Sequence, residues 1–188
     1  MTESVPKYAH LHVHSEYSVL DGACRIPQLV ARAAELEMPA VGITDHGSMA
    51  GAVELYRTAR KQGIKPLLGC EIYLVEDRRT RQQSGERHWN HLTLLAETNE
   101  GYHNLIKLCT LGYLEGYYYK PRVDFELLER HADGIIALSG CLAGRVCQAL
   151  VRDNYDDARA ELDRLVPAHP GSCKRSPSRS PASPSWRG

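Results

Sequence analysis

His10-Leu11-His12-Val13-His14-Ser15-Glu16-Tyr17-Ser18-Val19-Leu20-Asp21-Gly22 stands near the start of the chain. Extended backbone sends alternate side chains to opposite faces. Read as a strand over residues 8–14, the stretch puts His10, His12 and His14 on one face and Leu11 and Val13 on the other. Imidazoles two residues apart on one strand face can grip a single cation, and histidine is the commonest metal ligand. Asp21 follows in a Leu-Asp-Gly turn and brings a carboxylate close by. The ordinary reading is a wet strand end with hydrogen-bonded imidazoles. It leaves three histidines crowded into five residues without a task.

Outward from that stretch, strands and helices alternate. Pro27 opens a helix whose apolar face holds Ile26, Leu29, Val30, Ala33, Ala34 and Leu36. Residues 40–45 form a short apolar run that ends in Asp45-His46-Gly47, a buried strand with polar groups at its C-terminal end. Ser48 reads as the N-cap of a helix to Lys61, with Gly63 as its stop. Residues 65–75 contain a third strand, with Glu71 inside an apolar run. A carboxylate there needs a partner or a cation, because an unpaired buried charge is costly. Residues 76–87 are charged and Gln-rich and read as an exposed loop. His91 stands at the entry to a fourth strand over 92–96, and a helix or helix pair follows over 99–114. Residues 117–123 read as an irregular aromatic and basic segment, and Asp124 as the cap of a short helix to His131. A fifth strand over 134–141 ends in Cys141, and helices follow over 142–153 and 155–166. Asn154 caps the last helix, and Asp156 and Asp157 fill its first turn, where the dipole favours acids. Five such alternations predict an α/β fold with parallel strands, a layer or a barrel, and place the candidate ligands at strand ends.

The 188 residues suffice for one domain and a tail, and the 43% apolar content is that of a globular chain. The formal net charge is zero, but the last 19 residues contribute Lys174, Arg175, Arg179 and Arg187 and no acid, so the preceding body is mildly acidic. That argues against broad duplex binding and suits a body that collects cations. Six cysteines are scattered without a CxxC pair, residues 1–7 carry no apolar run behind them, and no stretch approaches the roughly 18 apolar residues of a membrane span. A reduced cytoplasm and no membrane partner are expected. The reading divides the chain into a domain over 1–166 and a Ser/Pro/Arg tail over 167–188. The tail cannot bury enough apolar surface to order itself, and is read as disordered or as translation out of frame, the second being favoured because it interrupts an unclosed α/β pattern.

The collected donors are His12, His14, Asp21, His46, Glu71, His91 and Cys141. Nitrogen, oxygen and one thiolate suit Zn2+, with Mn2+ or Fe2+ as alternatives. Taken singly, Cys141 is a small core residue and Asp45 a cap or a partner of a ligand.

The order His-x-His, Leu-Asp-Gly, Thr-Asp-His-Gly, Gly-x-Glu, Asn-His-Leu and Ser-Gly-Cys resembles the polymerase and histidinol phosphatase (PHP) domain. The phrases over 17–22, 64–71, 97–105 and 120–124 narrow the resemblance to the domain that opens the alpha subunit of bacterial DNA polymerase III. It covers about residues 6–166. The resemblance implies a distorted seven-stranded (β/α) barrel with up to three metals. His12, His14 and Glu71 would hold the first, a bridging Glu71 with His91 and Cys141 the second, and Asp21 with His46 the third. His10 falls outside the family's pair and is left beside the ligands. The family's final Asp-x-His is absent, as are the last strands and the polymerase domain that binds Mg2+. The chain therefore reads as a truncated N-terminal piece, unable to polymerise DNA alone and holding fewer than three ions. The implied chemistry is metal-assisted phosphoester hydrolysis, in such polymerases a 3′→5′ exonuclease. Lys120, Arg122 and the nearby tyrosines are candidates to touch DNA. DNA and other replisome subunits are the implied partners. Two alternatives remain: a free-standing phosphatase of a small phosphate ester such as histidinol phosphate, and a non-catalytic replisome scaffold.

Overall fold

The computed structural model describes residues 8–81, 89–139 and 141–165. The expected tail over 167–188 lies outside them, as does most of the expected loop beyond Arg81. The elements are α1 (Ile26–Glu35), β1 (Ala40–Ile43), α2 (Ala52–Lys61), β2 (Lys65–Val75), β3 (Asn90–Ala96), α3 (Asn99–Leu114), β4 (Tyr117–Tyr118), β5 (Lys120–Asp124), α4 (Phe125–Arg130), β6 (Ile135–Leu138), α5 (Arg145–Val151) and α6 (Tyr155–Leu165).

β2 organises the sheet. Its first half runs parallel to β1, from Ala40 opposite Lys65 to Ile43 opposite Leu68. Its second half pairs antiparallel with β3, Glu71 facing Thr93 and Tyr73 facing His91, and parallel with β5, Tyr73 facing Arg122. β3 in turn carries β6 antiparallel. The α/β layering is as expected, and parallel pairing holds at β1–β2 and β2–β5. The expectation of parallel strands throughout does not extend to β3, which returns antiparallel to β2; among the described residues no crossover helix stands between them. Among the described residues β4 and β6 end the sheet, which is an open piece of wall.

Alternation along β2 decides which residues meet what. Cys70, Ile72 and Leu74 point into an apolar core with Leu92, Leu94, Leu105, Leu108 and Val123, covered by α3. Burying each of the larger aliphatics stabilises by about 1.5–3 kcal/mol. A second core joins Ile26, Val30 and Ala33 of α1, Leu55 and Ala59 of α2, and Val41 and Ile43 of β1. α3 is a single helix because the Thr98 side chain accepts from Gly101 N and caps its start, and its apolar stripe stays in register over 16 residues.

Four local expectations need correction. Residues 8–14 are not a ladder strand. They lie beside β1 through a bridge from His10 to Val41 and through Thr44 N donating to Val13 O, but Val13 N turns to the Thr44 hydroxyl, which interrupts the pairing. The cap of α2 is Gly51, while Ser48 Oγ accepts from Ala50 N one turn earlier. Residues 117–124 form the hairpin β4–β5, with Tyr119 at φ 59 in its turn. The stretch after β2 is not wholly exposed. Arg78 is 1% exposed and donates to both oxygens of Asp124 at 2.9 Å, to Glu126 at 3.1 Å, and to Glu115 at 2.8 and 3.0 Å.

Candidate metal centre

The other face of β2 carries Glu71 and Tyr73, with Thr93 and His91 beside them on β3. Glu71 is 1% exposed, and three imidazoles converge on its carboxylate. His12 Nε2 lies 2.7 Å from Oε2, His91 Nδ1 2.6 Å from Oε1, and His46 Nδ1 3.1 Å from Oε1. His12 arrives on the segment beside β1. His46 arrives just past the end of β1, where Glu71 N donates to Asp45 O and Gly47 N to Glu71 O. Gly47 allows that approach: at φ +60, a Cβ there would meet Pro121 Cγ at 2.6 Å. His14 stacks on His46 at 4.1 Å between ring centres and 16° between planes.

Asp45 builds the wall of the site. It is 1% exposed and accepts from Ser15 N, Ser15 Oγ and Ser18 Oγ at 2.6–2.8 Å. Ser18 Oγ also accepts from His46 N. These bonds fold the turn after Ser15 so that Asp21 Oδ2 comes 2.8 Å from His46 Nε2. Asp45 thus holds the turn that carries the candidate donor Asp21.

The electrostatics follow from burial and crowding. Burial pushes the Glu71 carboxyl up, but the close imidazoles of His12, His46 and His91 outweigh it and hold Glu71 well below the usual carboxylate range. The Glu71 carboxylate raises the imidazole of His46 against the effect of burial, and Asp21 raises it further. Burial, then the charge of His46, lowers His14. Burial, then the negative charge of Glu71, pushes the Tyr73 phenol up to about 12, so it stays protonated. The contacts are close yet badly aimed: Glu71 Oε1, His46 Nδ1 and His14 Nδ1 are buried without a hydrogen-bond partner. Such orphans are costly unless something else satisfies them.

Two sets of three donors result. The ligand atoms of His12, His14 and Glu71 lie within 4.8 Å of one another, and so do those of His46, Glu71 and His91. Glu71 belongs to both. Five expected donors are therefore brought together, with Asp21 attached through His46. Two others belong to neither set. Cys141 lies in the turn between β6 and α5, whose Ala143 O accepts from His91 N at 3.3 Å, so it borders the cluster; burial, with the charge of Glu71, raises its thiol. His10 is exposed and packs edge-on against Tyr8 at 5.4 Å. Arg122 is not a surface group for DNA either. It is 4% exposed and donates to the carbonyls of Gly116, Thr80 and Arg78, a brace that its place in a basic stretch did not reveal. Lys120 does reach the site, along a cleft lined also by Asp21, His46, Tyr73, Trp89 and His91. Tyr73 and Trp89 were not foreseen; the period-2 spacing from Glu71 to Tyr73 and from Trp89 to His91 is the signal that places them there.

The PHP domain family matches residues 10–170, and the chain belongs to that family. Its sequence is 50% identical over 165 residues to the DNA polymerase III subunit alpha of Deinococcus radiodurans, covering 83% of this chain and 12% of that protein. It is 44% identical over 162 residues to the corresponding subunit of Thermus aquaticus, covering 84% of this chain and 13% of that protein. The chain thus spans about an eighth of the length of these relatives. Among solved structures, an amidohydrolase from Chromobacterium violaceum superposes with a TM-score of 0.38 at 19% identity, covering 89% of this chain and 58% of that one. No helix of the described residues is long and apolar enough to cross a membrane.

Proposed function

We propose that the chain serves as the PHP portion of a replicative DNA polymerase III alpha subunit in the cytoplasm, and that the Glu71 cluster is a cation centre for phosphoester hydrolysis. The carrying observation is a buried carboxylate shared by two donor sets, with three polar atoms left unsatisfied at their junction. The donors fit a borderline cation, with Zn2+ preferred and Mn2+ or Fe2+ also suited to imidazole and carboxylate. His12, His14 and Glu71 would hold one ion; His46, Glu71 and His91 would hold a second. Bound cations supply an activated water at neutral pH and neutralise phosphoryl charge.

The chain's own groups do the rest. Glu71 stays ionised, so it can face both donor sets as a carboxylate. With its proton on Nε2, His46 donates to Asp21 and turns the Nδ1 lone pair toward Glu71, the arrangement by which a carboxylate fixes a metal-binding histidine. Asp45 holds the turn that carries Asp21. The expected third ion on Asp21 and His46 gains no third donor among the described residues, so the centre takes two ions. The substrate class proposed is a 3′ end of DNA, cleaved from 3′ to 5′.

The test is a 5′-labelled single-stranded oligonucleotide incubated with the chain loaded with Zn2+, Mn2+ or Fe2+. Slow metal-dependent shortening from the 3′ end, lost in Glu71→Ala, is expected. Two bound ions with no shortening would contradict the hydrolytic reading and leave a structural role. Faster release of phosphate from histidinol phosphate would move the assignment to a small-ester phosphatase.

A further inference from the structure

The cleft above the cluster is lined by two unlike sets of groups: the donors with Asp21, and an apolar and aromatic set joined by Lys120. The cleft holds about 290 Å³, the small end of the range for ligand sites, which is room for one nucleotide and not a length of chain.

Trp89 packs edge-on against Tyr73 at 6.1 Å, and Tyr73 is near-parallel to His46 at 5.9 Å, so the aromatic surface is continuous with the donors. A further part of the lining is the turn at Val19 and Leu20, which are 86% and 88% exposed. This is not a loose loop. Ser15 and Ser18 are fastened to Asp45, and the Tyr17 hydroxyl donates to Glu54 at 2.8 Å. A fixed turn that offers two bare aliphatics beside a polar cluster has no use for them in its own core. Lys120 reaches in from β5, its ammonium 5.3 Å from the Tyr73 ring centre, and no carboxylate among the described residues pairs with it.

The geometry points to a nucleotide-reading subsite: Lys120 takes the phosphate, while Trp89 and the Val19–Leu20 lip enclose the ring of one terminal nucleobase. This rests on the phosphoesterase reading and adds the ligand to it. The apolar lip requires an apolar body, Lys120 and the cations that the donor sets would hold call for an anion, and the volume limits the body to one planar ring with its sugar. The site carries no array of polar groups aimed at a base edge, so it accepts any base through its face.

The probes are thymidine 5′-monophosphate and inorganic phosphate, titrated calorimetrically into the full chain loaded with Zn2+. Stacking on an aromatic side chain is worth roughly 5- to 150-fold per base, so the nucleotide should bind at least about fivefold more tightly than phosphate. Trp89→Ala should bring that ratio close to one, and Trp89→Phe should restore most of it. Lys120→Gln should weaken both ligands by a similar factor and leave the ratio. Circular dichroism identifies any variant that fails to fold, and Trp89→Phe then carries the test. Equal affinities for the two probes in the unaltered chain, or a ratio that survives Trp89→Ala, would overturn the subsite. The count of bound zinc is read separately: two ions with no preference for the nucleotide sinks this inference alone, whereas a chain that takes no zinc removes the centre beneath it.

Discussion

Glu71 and Arg78 stand seven residues apart, one on β2 and the other just past its end, and each is 1% exposed. They are buried charges of opposite sign with opposite surroundings. Arg78 is saturated: Asp124, Glu115 and Glu126 receive its donors, and Asp124 also accepts from Arg78 N and from Leu127 N at the start of α4. Glu71 is surrounded and still incomplete, with Oε1 and the neighbouring His46 Nδ1 lacking hydrogen bonds despite a separation of 3.1 Å. A saturated buried charge fixes the fold. An unsaturated one, ringed by donors that bind cations, is kept open for a ligand. The same strand therefore ends in a structural clasp and carries the proposed binding site at its middle.

Breaking each member should separate the two roles. Glu71→Ala should abolish metal retention altogether, since both donor sets lose their shared member; elemental analysis after dialysis checks this. The thermal midpoint of the metal-free chain should move less than it does in the next variant. Arg78→Met leaves Asp124 buried and unpaired, and should cost about 3–5 kcal/mol, read as a midpoint lowered by on the order of 10 °C, while whatever remains folded keeps its metal. Asp21→Asn should weaken metal binding by about 10- to 100-fold, because Asp21 acts through the orientation of His46; a chelator competition measures it, and a loss equal to that of Glu71→Ala would remove the distinction between a shared ligand and its supporter. Thr98→Ala, remote from both, should cost about 1 kcal/mol through the cap of α3, seen in denaturant unfolding, with metal content unaffected.

Much of the site was legible because its signals are local. His12 and His14 share a face by spacing alone, and Glu71 interrupts an apolar run where an unpartnered carboxylate could not stay. β2 was read at its observed bounds for the same reason: eleven residues of strand-forming character end where the charged stretch begins. The clasp was not legible, because Arg78 sits in a stretch whose composition reads as solvent-exposed and its partner Asp124 lies 46 residues away. The hairpin β4–β5 was hidden by a run of three tyrosines, a lysine and a proline, which shows neither a helical nor an alternating period. Cys141 was placed in the site by motif order; it stands in the turn that accepts from His91 N, outside both donor sets. For the clasp a distant partner, not the local pattern, settled the outcome.

The most direct measurement is anomalous X-ray scattering from crystals of the chain grown with zinc. The account predicts two peaks flanking the Glu71 carboxylate, one beside His12 and His14 and the other beside His46 and His91. A single peak, or zinc held away from Glu71, would contradict it.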